Sequence, residues 1–424
     1  MNINICNDIR QQDPNFIFGA ATSNLQIEGN SNRGISIWDE TLKNYPTCDH
    51  EIHYKEDINM VKNMGLNAYR CSISWSRIMP DGRKINKDGI NFYKNLFQYA
   101  SDLGIELWVT LYHWDLPLVL QEEFGGWVSP EIIPLFVNYA NICFEYFDDL
   151  INNWITFNEP YVFCHYGYGI AQCPPGLTSK QFEAAHNILL AHKEVYKMYK
   201  NYSSNKKGNI GITLNCAWRE PYSLSDEDIK ATKYAMESRF DWFALPITEG
   251  KYPDILFDKI KNLPNEGKFD GPLGTDFIGI NYYTSKNVKA HGDTYVDMLP
   301  HSSIKTNSMG WAVIPEGLGK LLKYANNLFP NKPIYITENG FSDEGTLDDF
   351  DRINYIEKHL LQIKNSIIED KIPLKGIFWW SLMDNIEWGR GIEPHFGLIH
   401  VDFNTPDKIR TPKASYNWIK KQLS

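Results

Sequence analysis

Long apolar runs are missing from this chain: none of its 424 residues lies in a hydrophobic stretch approaching the roughly 20 residues that cross a bilayer. That excludes a helical membrane span. The opening MNINICNDIRQQDPN lacks the basic and apolar regions of a signal peptide, so a soluble, cytoplasmic protein is expected. Blocks of Lys and Arg are also missing. With 42 basic against 52 acidic residues, the net charge of −10 and pI near 5.6 repel phosphate backbones and anionic lipid, arguing against nucleic-acid or membrane partners. The seven cysteines form no CxxC pair, so reduced structural thiols are expected rather than a disulfide framework or a cysteine zinc site. His186 and His192 lie six apart on a predicted helix, not at the i, i+4 spacing of a helical zinc pair. Core histidines and no metal are therefore expected. PEGLGK (315–320) lacks the upstream glycine of a phosphate loop. No low-complexity linker divides the chain; KIKNLPNEGKFDGPLG (259–274) reads as a surface loop, and residues 1–424 as one domain.

Aromatic residues, by contrast, are plentiful: they make up 14% of the chain and include thirteen tryptophans. Faces of that size pack in a core or stack on flat partners, sugars among them. Eight short β-branched or aromatic runs recur: FIFGAA (16–21), NAYRCSI (67–73), IELWVTLY (105–112), NWITF (153–157), NIGITL (209–214), DFIGINYY (276–283), PIYIT (333–337) and GIFWWS (376–381). Between them lie stretches of helical period such as KEDINMVKNMG, which Gly65 can stop, and EAAHNILLAHKEVYKMYKNY. Eight strand–helix repeats predict an α/β protein, a closed (β/α)8 barrel with extended loops.

In such barrels chemistry gathers where the strands end. Polar groups stand at those ends here: Gln26 and Glu28 after run one, Arg70 in run two, His113, Trp114 and Asp115 after run three. WITFNEP ends run four on Asn158 and Glu159 and locks the turn with Pro160. Asn281 and Tyr283 lie in run six, Glu338 and Asn339 cap run seven, and Trp380, Asp384, Glu387 and Trp388 follow run eight. Runs four and seven face each other across a barrel mouth, so Glu159 and Glu338 can converge as the two carboxylates of a glycosidase. Arg70 and Tyr283 would hold Glu338 ionised as nucleophile, and its charge would keep Glu159 protonated as the acid. Gln26, His113, Asn158 and Glu387 are suited to adjacent sugar hydroxyls, with Trp380 and Trp388 as stacking faces. Plainer readings exist: Glu338 as a helix N-terminal carboxylate, Glu387 as a surface charge, Arg70 as partner of a buried acid, and both tryptophans as packing.

The blocks FGAATSNLQIEG, YRCSISWSRIMP, VTLYHWDLP, WITFNEP, GINYYT, YITENG, WWSLMDNIEW and FGLIHVDF resemble, in order and spacing, those of glycoside hydrolase family 1, the β-glucosidase family. The resemblance spans nearly the whole chain. It implies a (β/α)8 barrel and a retaining β-glycosidase that needs no cofactor or metal and acts on a small β-glycoside or oligosaccharide. β-Glucosides are the expected substrates, with β-galactosides or β-fucosides tolerated. The resemblance makes Glu159 the acid/base and Glu338 the nucleophile. It places Gln26, His113, Asn158, Glu387, Trp388 and Trp380 around the non-reducing sugar, Arg70, Asn281 and Tyr283 near the nucleophile, and Trp311 at the aglycone site. A 6-phospho-β-glycosidase and an inactive sugar-binding homologue are the alternatives. Against the first, Glu387, Pro394 and Phe396 stand where the phospho-glycosidase branch has Ser, Lys and Tyr, and a carboxylate repels phosphate. A glutamine acid/base, as in plant myrosinases, is not found. Other departures are Tyr161 for the usual Trp, CPPG for APG, His395 for Arg before FG, and a short loop between Trp38 and Cys48 that would open the aglycone entrance.

Overall fold

Each of the eight runs becomes a parallel strand: β1 (Ile17–Ala21), β2 (Ala68–Ser72), β3 (Glu106–Tyr112), β4 (Asn153–Asn158), β5 (Asn209–Asn215), β6 (Ile278–Asn281), β7 (Ile334–Asn339) and β8 (Leu374–Trp380). In the computed structural model, which describes residues 4–202, 208–292, 294–300 and 304–424, they close into a barrel. Every strand pairs with its sequence neighbours, and β1 pairs with β8. β6 is shorter than the run DFIGINYY, so Tyr283 stands beyond the strand end, above the rim.

Side chains that alternate inward fill the barrel with a small aromatic core. Trp108 of β3 lies 5.0 Å from Phe277, 4.3 Å from Tyr335 and 5.5 Å from Phe378, ring centre to ring centre. Larger apolar surface lies outside, between strands and helices. The helix Gln181–Asn201 shows why its sequence folds there: Ala184, Ile188, Ala191 and Val195 recur every three or four residues and are buried. His186 and His192 belong to that inner face, bonded to Tyr252 and to Thr156 and Gly274, and burial pushes both imidazoles down to about 4. They are core histidines. The helix His50–Asn63 stops just before Gly65, whose φ of +86° few other residues adopt.

One expectation needs correction. Segment 259–274 is not a plain surface loop: it holds the end of a short helix, Phe257–Ile260, and a turn at Pro264–Gly267, because Ile260 and Leu263 are buried against the body. No helix among the described residues is long and apolar enough to cross a membrane.

Because Trp108 fills the barrel axis, Trp108→Ala should cost about 3–5 kcal/mol, the usual range for deleting a buried aromatic. The midpoint of urea unfolding checks this, and an unchanged midpoint would mean the interior is not closely packed.

Candidate active site

Two local irregularities aim the glutamates. The register between β4 and β5 slips between Ile155 and Asn158, and that between β6 and β7 slips between Ile336 and Glu338. Such slips re-aim a side chain at a barrel rim. Glu159 itself sits at φ 52°, ψ 57°, left-handed, and Pro160 starts the short helix Pro160–Phe163 immediately after it. Trp114 and Trp388 also have positive φ. Left-handed backbone in residues of this size is strained and gathers at functional sites. After β7, a side chain on Gly340 would collide with the Trp380 carbonyl, so the ends of β7 and β8 approach closely only with glycine there.

Glu159 and Glu338 line one cavity of about 340 Å³ together with His113, Asn158, Trp380 and Glu387. Arg70 lies behind the wall, fully buried, and donates to Glu338 Oε1 (2.7 Å), to the Thr337 carbonyl (3.0 Å) and to Asn158 Oδ1 (2.7 Å). Tyr283 donates to the other oxygen of Glu338 at 2.7 Å. Glu338 is therefore no helix-terminal carboxylate. Asn281 lies beside Glu338 in the sheet register, near the nucleophile candidate as the resemblance implies, but donates to Glu159 Oε1 (2.8 Å) and Asn158 Oδ1 (3.1 Å). Its place at the end of β6, beside β5, turns it toward β4 instead.

The electrostatics differ between the carboxyls. Burial, and then the charge of Glu338, push Glu159 up to about 8, against the opposing Asn281 hydrogen bond. Glu387 is also pushed up to about 8, by burial and then Glu338, with Arg390 opposing. It is half-buried on the cavity wall, not a surface loop charge. Because a raised Glu387 is largely neutral at pH 7, its charge repels a phosphate less than its identity implies. His113 is held well below the ordinary imidazole range by burial and by Arg70, so it stands as a neutral ring. Asn158 Oδ1 is doubly occupied, which leaves its Nδ2, 3.3 Å from His113 Nε2, as the end open to a ligand.

The aromatic faces are where the sequence points. Trp388 stacks on Trp114 (4.7 Å) and packs on Trp38 (4.4 Å), the Trp380 ring lies near-parallel to His113 (5.8 Å), and Trp311 packs on Tyr283 and Phe396. Gln26 is fully buried; Ser23 donates to it, and its amide donates to the Ile386 carbonyl and Asn385, holding the loop that carries Glu387. Other rim polar groups serve the frame: Glu28 is tied to Arg77 and Tyr93, Asp115 to Asn24, and Asn339 to Tyr355. Asp384, His395 and His400 bring three ligand-type atoms within 4.8 Å of one another. Lys413 occupies the same carboxylate at 2.8 Å, so the cluster has its cation already.

Sequence reasoning missed Tyr161, Arg219, Arg239, Lys286 and Asp297, which line the same cavity. Tyr161, Arg219 and Lys286 stand three, four and five residues beyond the ends of β4, β5 and β6, so the rim rule could have found them, whereas Arg239 and Asp297 lie far from any barrel-strand end.

A rim cavity on a (β/α)8 barrel with two glutamates of opposite electrostatic character is the equipment of a glycoside hydrolase. Comparison with known proteins agrees. Residues 10–424 match Glycosyl hydrolase family 1, and the chain belongs to that family. It is 38% identical to Beta-glucosidase 12 of Oryza sativa, across 96% of this chain and 91% of that protein. A rice β-glucosidase, solved as a Glu→Gln variant in covalent complex with Glc, superposes with TM-score 0.91 at 33% identity, over 98% of this chain and 99% of that one. The Thermotoga maritima β-glucosidase in complex with deoxynojirimycin gives 0.90 at 35% identity, over 96% and 97%.

If Glu338's charge lifts Glu159, Glu338→Gln should lower the pH at which Glu159 titrates, toward the ordinary carboxylate range. Carbon-13 NMR of glutamate-labelled protein reads this directly. A titration that stayed put or rose would contradict the coupling.

Proposed function

We propose that this family 1 glycoside hydrolase is a retaining β-glucosidase, releasing terminal non-reducing β-D-glucosyl residues by double displacement and accepting β-galactosides and β-fucosides more slowly. The carrying observation is the asymmetry of the two glutamates: Glu338 accepts from Arg70 and Tyr283, while Glu159 is pushed up by burial and by that neighbour. Glu338 attacks the anomeric carbon as Glu159 protonates the departing glycosidic oxygen. Glycosylation then removes the charge of Glu338, so Glu159 ionises and takes a proton from the water that cleaves the ester. Retention is supported by the rice relative's covalent complex with Glc, and glucose preference by the β-glucosidase relatives.

A 6-phospho-β-glycosidase is the weaker reading, because the residues of the loop after β8 that line the cavity, Glu387 and Phe396 among them, offer no cation to a phosphate. A cytoplasmic location belongs to the same proposal, supported by seven unpaired thiols, six of them buried.

Turnover of an aryl β-D-glucoside should far exceed that of its 6-phosphate, in kcat/KM near neutral pH; the opposite preference would overturn the glucoside reading. The alkaline limb of that profile should fall near pH 8, because the raised Glu159 loses its proton as pH climbs past it. Glu338→Ala should lose roughly 10⁴-fold or more in kcat and, with azide, yield the α-glucosyl azide. Full activity in that variant would remove Glu338 from the nucleophile's role.

A further inference from the structure

Barrel order divides the mouth into two arcs, with β4 and β7, the strands of Glu159 and Glu338, between them. The arc running through β8, β1, β2 and β3 carries Trp380, Glu387, Trp388 and His113, the hydroxyl readers and stacking faces. The other arc, through β5 and β6, is basic. Arg219 and Lys286 lie on strands that follow β5 and β6, in Trp218–Pro221 and Ser285–His291, and Arg239 on the helical turn Glu237–Asp241. All three line the cavity, with Asp297 as the acid among them.

Asp297 is spent on the two arginines, at 3.2 Å from Arg219 and 3.3 Å from Arg239. Arg239 is also fixed by Tyr295, to which it donates at 2.8 Å, and its guanidinium lies 5.3 Å over the Tyr161 ring. Lys286 has no hydrogen-bond or ion-pair partner among the described residues; Asp297 acts on it only from beyond ion-pair distance. Three cations and one acid leave an excess positive charge of two, and one ammonium free, on the leaving-group side of Glu159.

On the reading that this is a retaining β-glucosidase, we infer that the leaving group is anionic: the arc of Arg219, Arg239 and Lys286 takes a β-glucoside whose aglycone bears a carboxylate, with Lys286 Nζ as its direct partner. Two guanidiniums already shared with Asp297 hold the shape of the site, and the single free donor suits a monoanion. Tyr161, at a position where the family commonly has Trp, supplies the ring beneath Arg239, with His165 stacked at 5.3 Å on it.

The test compares two glucosides of equal leaving ability, those of 3-(4-hydroxyphenyl)propanoic acid and of its amide; two methylenes keep the charge from altering the phenol. The carboxylate should show roughly tenfold higher kcat/KM, as expected for a hydrogen bond to a charged group, falling toward unity in 0.5 M salt as surface-accessible charges are screened. Lys286→Met should reduce that ratio at least about fivefold, and a second variant, Lys286→Arg, should restore most of it. Equal turnover of the two glucosides, or preference for the amide, overturns the inference while leaving the glucosidase reading in place. So does cleavage of a plain aryl glucoside with neither probe cleaved. If no β-glucoside of any kind is cleaved, the proposed function falls and this inference with it.

Discussion

A single buried guanidinium holds the site together. Arg70 sits in the barrel interior with almost no exposure, and a charge so placed is tolerated only where it is paired with an opposite charge. Its two terminal nitrogens find partners on two other strands, Thr337 and Glu338 of β7 and Asn158 of β4, while Nε is left without one among the described residues. Asn158 in turn takes Asn281 of β6, which reaches Glu159. One continuous chain of charge-assisted and neutral hydrogen bonds thus runs from one carboxylate to the other across four strands. Because each member is fixed by the next, neither glutamate can turn without leaving a buried polar group unpaired, and that cost is what sets their geometry.

That chain also explains how two residues of one type behave differently. Glu338 receives a cation and a phenol; Glu159 receives an amide and faces an anion. Burial raises Glu159, and the neighbouring Glu338 raises it further. The strained rim contributes on the geometric side. Register slips just before Asn158 and Glu338, and left-handed backbone at Glu159, are stable only because the closed barrel over-determines those positions.

The barrel was legible in the sequence because each strand is a short β-branched or aromatic run separated by helical periodicity, and all eight runs became strands. The central site was legible for a related reason: a residue at the end of a barrel strand is placed by the strand itself, which covers Arg70, Asn158, Glu159, Asn281 and Glu338. Part of what escaped was set by long connections. Arg239 and Asp297 reach the cavity through a helical turn and a hairpin whose paths no local pattern encodes. The partner of Asn281 escaped too, since a choice between two glutamates a few ångströms apart depends on β-strand register. Even Glu387, correctly placed on the cavity wall, was misread in charge, because sequence shows a carboxyl but not the desolvation and the Glu338 field that raise it.

On the proposed double-displacement reading, the two-arc arrangement would give the basic side a role in the chemistry as well as in recognition. An aglycone carrying a carboxylate brings a further negative charge toward Glu159 and Glu338, in a cavity where like charges are screened little by water. Uncompensated, that charge would hold Glu159 protonated more tightly and oppose transfer of its proton to the glycosidic oxygen. Cations on the leaving-group arc cancel the field where it arises, so Glu159 keeps the balance that burial and Glu338 set. Once the aglycone departs with its charge, the same cations favour ionisation of Glu159, the state needed to activate water. A basic leaving-group side therefore assists both halves of a double displacement, whereas on the sugar side it would only compete with the donors that hold Glu338.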